Sequence, residues 1–242
     1  MTDGIDIEGL TKRYGELTVV EDVSFTARSG RVVGLLGRNG AGKTTTLRML
    51  LGLARPTSGR ATIFGHPYPE LPRAAHRVGV SIDGIGPSAA GSGRADLRIW
   101  AKTLGLPRTR VDDVLEQVGL AADAHRKIRD YSQGMRQRHA LATALLADPE
   151  LLILDEPANG LDPDGIRWLR ELLRSLADEG RTVLVSSHLL AEVEQMADDI
   201  VILQKTLRYS GTAAELTRNG AVSLESRFFD LVGPAVKENA HA

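Results

Sequence analysis

Apolar and polar positions alternate along Ile5-Asp6-Ile7-Glu8 and along Val23-Ser24-Phe25-Thr26-Ala27. That period of two is the pattern of half-buried strands. The two segments predict an antiparallel layer at the start of the chain. Val32-Val33-Gly34-Leu35-Leu36 differs, being apolar throughout, as a strand covered on both faces of a parallel sheet must be. Residues 78–82, 151–154, 182–185 and 200–203 predict further buried strands. Helical spacing lies between them. Residues 44–53 set Leu47, Leu50 and Leu51 on one face, and residues 165–177 carry Ile166, Leu169, Leu172, Leu173 and Leu176 as one stripe. Strand alternating with helix predicts an α/β protein with a doubly wound, mostly parallel sheet.

The middle of the chain breaks this alternation. Residues 97–104, 111–118 and 134–147 read as helices, and no strand pattern is visible among them. A Gly/Ser-rich stretch, residues 84–93, leads into this region. Residues 84–148 are therefore expected to be a helical subdomain inserted into a single domain spanning 1–242. From about Thr212 the pattern weakens, and residues 212–242 read as a C-terminal appendage.

Composition changes this picture little but excludes some chemistry. The 242 residues are 42% hydrophobic and 25% charged, with a formal net charge of -1, ordinary values for a globular protein. No overall positive charge draws the chain to nucleic acid, and no nucleic-acid partner is expected. There are no cysteines, so disulfides, thiolate metal sites and cysteine nucleophiles are excluded. The start, Met1-Thr2-Asp3-Gly4-Ile5-Asp6, carries no basic region followed by an apolar run, and no signal peptide is predicted. The apolar stretch at 141–147 ends at Asp148-Pro149, too short to span a bilayer.

The strongest chemical signal is Gly37-Arg38-Asn39-Gly40-Ala41-Gly42-Lys43-Thr44, which fits GxxxxGK[ST]. Glycines let such a loop turn so that successive backbone N–H groups converge on one anion. The following helix presents its positive N-terminus to the same phosphates. Lys43 has the reach for the β- and γ-phosphates, and the Thr44 hydroxyl suits Mg²⁺. The motif sits where it must, directly after a buried strand and before a helix. Leu151-Leu152-Ile153-Leu154-Asp155-Glu156 is an apolar strand ending in two acids, which places them in the crevice at the carboxyl edge of the sheet. Asp155 is expected to hold Mg²⁺, directly or through water. Glu156 is expected to act as general base toward the attacking water, or to orient it.

Three further features separate this chain from other proteins with such a loop. Tyr131-Ser132-Gln133-Gly134-Met135 opens a helix, and its Ser side chain, glycine and free N–H groups make a second anion site. Gly160-Leu161-Asp162-Pro163 follows the acids. His188 follows the strand at 182–185, where a hydrogen bond to a γ-phosphate is within reach.

With these residues in place, the chain resembles ATP-binding subunits of ABC transporters from about Ile5 to about Val232. Residues 37–44 look like Walker A, and residues 151–156 like Walker B with its catalytic glutamate. Residues 131–135 are similar to the LSGGQ signature, residues 159–163 to the D-loop, and Ser187-His188 to the switch histidine. The resemblance implies the fold of a P-loop NTPase, ATP and Mg²⁺ as ligands, and Glu156, His188 and Lys43 as the catalytic set. It implies ATP contacts from Gly37, Asn39, Gly40, Ala41, Gly42, Lys43, Thr44 and Thr45, from Tyr14 stacked on adenine, and from Ser132 and Gly134. Thr44, Asp155 and Asp83 would serve the metal, and Asp162 would communicate across a dimer. Each ATP would lie between residues 37–44 of one copy and Ser132–Gly134 of a second. A separate integral-membrane permease, with this chain peripheral on its cytoplasmic side, completes the implied assembly. Within the family, residues 155–163, 165–170 and 186–190 look most like subunits of the drug-, lantibiotic- and bacitracin-resistance type, which export hydrophobic or peptide compounds.

Two departures stand out. The signature holds Gln133 and Met135 where glycine and glutamine are usual, while Ser132 and Gly134 are kept. Asp83 stands where the family has the Q-loop glutamine. It either offers an oxygen to Mg²⁺ or to the water, or simply starts a solvated turn with Gly84. A P-loop phosphotransferase and a non-transport ABC-type ATPase are the alternative readings. ATP-driven dimerisation separates the first from a transporter subunit, and the single domain, the lack of sustained heptads and the absence of net positive charge argue against the second.

Overall fold

The computed structural model describes residues 4–82 and 91–233. The first strands are β1 (Ile5–Tyr14) and β2 (Leu17–Ala27), followed by β3 (Val32–Leu36), α1 (Lys43–Leu50) and β4 (Ser58–Ile63). Next come α2 (Ala74–Arg77) and β5 (Val78–Ser81). A helical stretch holds α3 (Gly93–Thr103), α4 (Thr109–Gln117) and α5 (Gln133–Leu145). The chain then alternates through β6 (Leu151–Asp155), α6 (Pro163–Asp178), β7 (Thr182–Ser187), α7 (Leu190–Met196) and β8 (Asp199–Gln204). It continues with β9 (Thr206–Thr212), α8 (Ala213–Leu216) and α9 (Leu224–Val232).

Two sheets result. A three-stranded antiparallel sheet runs β2-β1-β4, and a six-stranded sheet runs β5-β6-β7-β3-β8-β9. The strands of the large sheet are parallel except β9, which folds back antiparallel on β8. The buried apolar strands separate their side chains onto two faces. Val33 and Leu35 join Leu47, Leu50, Ile5 and Ile7 in a core between the two sheets and α1. Val32 and Leu36 join Leu152, Leu154, Leu169 and Leu173 on the opposite face, where α6, α7 and α9 pack. This is why the strands read as unbroken apolar runs: both faces are covered. Gly34 allows α7 to approach β3 closely, since a side-chain carbon there would lie 2.5 Å from Val193 of α7.

Strand order decides where the loops meet. β3 lies between β7 and β8, so the chain crosses over and leaves a switch point beside the end of β3. Register aligns Leu36 with Ser187 and Asp155 with Ser186. The ends of β3, β6 and β7 thus form one row. Between β5 and β6 the described residues are helices and turns, apart from an isolated bridge between Ser92 and Lys127. Buried Val114, Leu115, Leu97 and Leu145 tie α3, α4 and α5 to the large core.

Several elements differ from the sequence expectation. The strands β1 and β2 extend well past the alternating segments, joined by a turn at Gly15 and interrupted by bulges. β4 and β9 were not expected. β4 is Ser-Gly-Arg-Ala-Thr-Ile at the edge of its sheet with its first half exposed, so no apolar pattern marks it. The segment after Thr212 is ordered through α8 and α9. Leu224, Phe228 and Val232 are buried in the core, and Thr212 caps α8 through a reciprocal bond with Glu215.

Candidate nucleotide site

The loop after β3 is built around left-handed glycines. Gly40 has φ 77° and Gly42 has φ 101°, conformations that cost a residue with a Cβ. Gly42 also abuts the β1–β2 layer: a Cβ there would lie 2.8 Å from Val20 Cγ2 and 2.9 Å from the Val19 carbonyl oxygen. The loop is closed by the Ala41 N–H donating to the Arg38 carbonyl at 3.0 Å. It is tied to the turn between β8 and β9 by Lys205 N–H donating to the Ala41 carbonyl at 3.0 Å. The glycine-walled concavity and the helix α1 behind it suit a phosphate chain.

Lys43 is buried, and its Nζ donates to the Gly37 carbonyl at 2.7 Å and pairs with Glu156 Oε1 at 3.1 Å. Thr44 Oγ1 donates to Asp155 Oδ2 at 2.8 Å. The Thr44 hydroxyl and the Asp155 carboxylate therefore form one oxygen cluster. Among the described residues no group of three or more His, Cys, Asp or Glu side chains gathers as a metal cage. Two protein oxygens still fit Mg²⁺, which keeps several waters and takes substrate phosphate oxygens rather than an all-protein shell.

Glu156 carries a left-handed backbone, φ 49°, uncommon for a residue with a Cβ. Its N–H is held by the Ser186 carbonyl at 3.1 Å and the Ser186 hydroxyl at 3.0 Å. The same hydroxyl donates to Asp155 Oδ1. Ser186 is fully buried and aligns both acids at once. The His188 imidazole meets Glu156 Oε2 through Nδ1 at 2.7 Å, and His188 N–H donates to the same oxygen at 3.3 Å. One carboxylate is thus framed by Lys43 on one side and His188 on the other. Sequence reasoning missed Ser186. The available signal was its polarity at the end of an otherwise apolar, buried strand, Thr-Val-Leu-Val-Ser-Ser.

A cleft of about 350 Å³ opens over these groups. Asn39, Gly40, Ala41, Gly42, Thr45 and Asn159 line it, together with Lys43, Thr44, Glu156 and His188. Val19 closes one side. Tyr14 does not line this wall; it lies at the end of β1, 54% exposed, with Lys12 Nζ 4.7 Å from its ring centroid. Ser132 and Gly134 do not reach the cleft within the one chain either. Ser132 caps α5, its hydroxyl accepting from Met135 N–H at 3.2 Å. The start of α5 rests instead on the loop after β6. A Cβ at Gly160 would lie 2.4 Å from the Gln133 side chain, and one at Gly134 would lie 3.2 Å from the Gly160 carbonyl oxygen. Gln133, where the family has glycine, thus covers Gly160. Asp162 caps α6 by accepting from Gly165 N–H at 2.8 Å, with Pro163 at the first helical position. Asp83 lies outside the described residues.

Comparison with known proteins places this geometry. The sequence profile described as "ABC transporter" matches residues 20–159, more than half of the chain. The ABC transporter ATP-binding protein YhcH of Bacillus subtilis is 45% identical over 204 residues, covering 83% of this chain and 67% of that protein. The bacitracin transport ATP-binding protein BcrA of Enterococcus faecalis is also 45% identical over 204 residues, covering 83% and 66%. The Nod factor export ATP-binding protein I of Ralstonia nicotianae is 42% identical over 206 residues, covering 82% and 64%. The chain thus spans about two thirds of the length of these relatives. A solved ATP-binding subunit of an ABC transporter superposes with a TM-score of 0.83 at 29% identity, covering 94% of this chain and 98% of that one. The match in sequence and in fold leads to one conclusion: this chain belongs to the ATP-binding subunits of ABC transporters, which hydrolyse ATP to power transport.

Proposed function

We propose that two copies of this chain clasp two ATP molecules, each with Mg²⁺, and that their hydrolysis drives a separate membrane permease exporting a drug-like or peptide compound. The observation that carries the reading is the row at the sheet edge, where Lys43 and His188 both engage Glu156 while Thr44 and Ser186 both engage Asp155. Lys43 exchanges its Gly37 and Glu156 partners for phosphate oxygens. That frees one oxygen of Glu156 for the attacking water, while His188 keeps the other in place. Glu156 takes or orients the water proton; the backbone N–H groups of residues 40–44 and the lysine hold the charge developing on the phosphoryl oxygens. Thr44 and Asp155 would hold Mg²⁺, which would supply positive charge to neutralise the phosphates. Tyr14 stacks on the adenine beyond Val19, and Asp83 offers an oxygen to the metal or the water.

The position of Ser132 and Gly134 supports a second copy. Their helix start is an anion site that does not face the cleft of its own chain. Asp162, at the start of α6, sits where the two copies communicate. ATP holds the copies together and hydrolysis releases them, a two-state element biased by the γ-phosphate. No helix among the described residues is long and apolar enough to cross a membrane. In this reading the permease is a separate chain and this one sits on its cytoplasmic side. The helices α3, α4 and α5 form the helical subdomain that passes the motion on. Similarity to proteins named for bacitracin transport and Nod factor export supports an exporter.

The test is Glu156→Gln. Turnover is expected to fall by about 10²-fold or more, the scale of losing a general base, while the protein binds ATP and accumulates as a dimer measured by light scattering. ATP hydrolysis at the parent rate would show that Glu156 is not the base.

A further inference from the structure

A second groove, about 540 Å³, lies beside the nucleotide cleft and shares Arg38 and His188 with it. Its far wall is α9. That helix is pinned by buried Leu224, Phe228 and Val232, and by Leu224 N–H donating to Glu194 of α7 at 2.8 Å. Fixing that face leaves Glu225 and Phe229, four residues apart and so on one side of the helix, lining the groove. Phe229 is 48% exposed and stands edge-on to Phe228 at 5.6 Å between ring centroids. Ile166, on the first turn of α6 just past Asp162, lines the same groove.

Two charges flank this apolar floor. Among the described residues, neither the Arg38 guanidinium nor the Glu225 carboxylate has a hydrogen-bond or ion-pair partner. The other acid in the groove, Glu192, is already paired with Arg170.

We propose that this groove is part of the surface that meets the second copy of the chain, with α9 extending the ATP-dependent dimer interface beyond the nucleotides. Two observations choose that occupant. The groove is continuous with the cleft through Arg38 and His188, and the cleft is the surface the second copy must cover to bring Ser132 and Gly134 to ATP. The patch also suits its own copy. A two-fold interface brings residue i against j and j against i, so an apolar centre carrying one free cation and one free anion is self-complementary. The proposal rests on the ATP-sandwich reading above. It adds that the C-terminal helix contributes to association, with Phe229 as the apolar anchor and Glu225 as a charge partner.

The experiment measures MgATP-driven dimerisation of the full chain in the Glu156→Gln background by analytical ultracentrifugation, beside monomer affinity for a fluorescent ATP analogue. Adding Phe229→Glu is expected to weaken the dimer about tenfold or more, the scale of losing an aromatic anchor, with nucleotide affinity unchanged. Glu225→Arg is expected to act in the same direction, and Phe229→Leu to retain most of the dimer. Because Phe229 and Glu225 are exposed, these changes leave the core intact, which thermal melts monitor. A dimer constant unmoved by both Phe229→Glu and Glu225→Arg overturns the proposal and leaves the sandwich standing. Equal losses of dimer and nucleotide affinity also overturn it, because α9 would then act by propping the phosphate loop. If Glu156→Gln alone stays monomeric at saturating MgATP, the sandwich reading fails and this inference falls with it.

Discussion

Adding one methyl group to Gly42 and one to Gly40 separates the two demands on the phosphate loop: backbone conformation and close packing. Both glycines have positive φ, 77° at Gly40 and 101° at Gly42. A left-handed conformation costs a residue with a Cβ about 1–2 kcal/mol, while alanine restricts the unfolded chain and returns about 0.4–1 kcal/mol. At Gly40 no heavy atom lies within 4 Å of the added carbon. Gly40→Ala is therefore expected to cost about 0–1.6 kcal/mol. At Gly42 the carbon runs into Val20 Cγ2 at 2.8 Å and the Val19 carbonyl oxygen at 2.9 Å. Overpacking of that kind adds about 1–3 kcal/mol, because the carbonyl belongs to a strand paired in its own sheet. The two substitutions should then differ by roughly 2 kcal/mol. Urea denaturation of the two variants, followed by circular dichroism, reads the difference directly. ATP binding should fall further for Gly42→Ala than for Gly40→Ala, since the loop relieves the clash by moving its N–H groups off the phosphates. Equal destabilisation of the two variants would refute the packing argument, and greater destabilisation by Gly40→Ala would refute the geometry of the loop.

Two further substitutions probe the site. Ser186→Ala removes the hydroxyl that donates to Asp155 and accepts from Glu156 N–H. It is expected to cost about 1–3 kcal/mol for a buried polar contact left unmade and to lower kcat more than it raises KM for ATP. Unchanged kcat in steady-state assays would remove Ser186 from the positioning of the acids. Tyr14→Ala should raise KM for ATP by about tenfold, the lower part of the range for one lost base–aromatic stack, with little change in kcat. An unchanged KM would show that the adenine lies elsewhere.

How much of this was legible in the sequence depended on whether the signal was local. The loop at 37–44 and the acids at 155–156 are contiguous, and each declares its chemistry through residue types in a short window. The buried strands were legible because both faces of the large sheet are covered, leaving unbroken apolar runs. β4 and β9 were not. Ser-Gly-Arg-Ala-Thr-Ile and Thr-Leu-Arg-Tyr-Ser-Gly-Thr lie at sheet edges, where backbone pairing with one neighbour holds a strand without an apolar face. α9 was illegible for another reason. Leu224, Phe228 and Val232 mark a helical stripe only once α7 and the sheet are present to receive it.

By itself, then, the chain determined the groups it carries: a glycine-rich loop, a lysine, a threonine hydroxyl and a carboxylate pair, each specified by neighbours in sequence. The tertiary structure decided what those groups do together. Strand order set β7 between β6 and β3, and parallel register brought Ser186 against Asp155 and Ser187 against Leu36. Only that placement makes one serine serve both acids and gives Glu156 a lysine and a histidine at once. It also turned Ser132 and Gly134 away from the cleft and set α9 beside it. These relations join residues far apart in sequence, through backbone hydrogen bonds between strands and burial between layers. No window along the chain contains both partners.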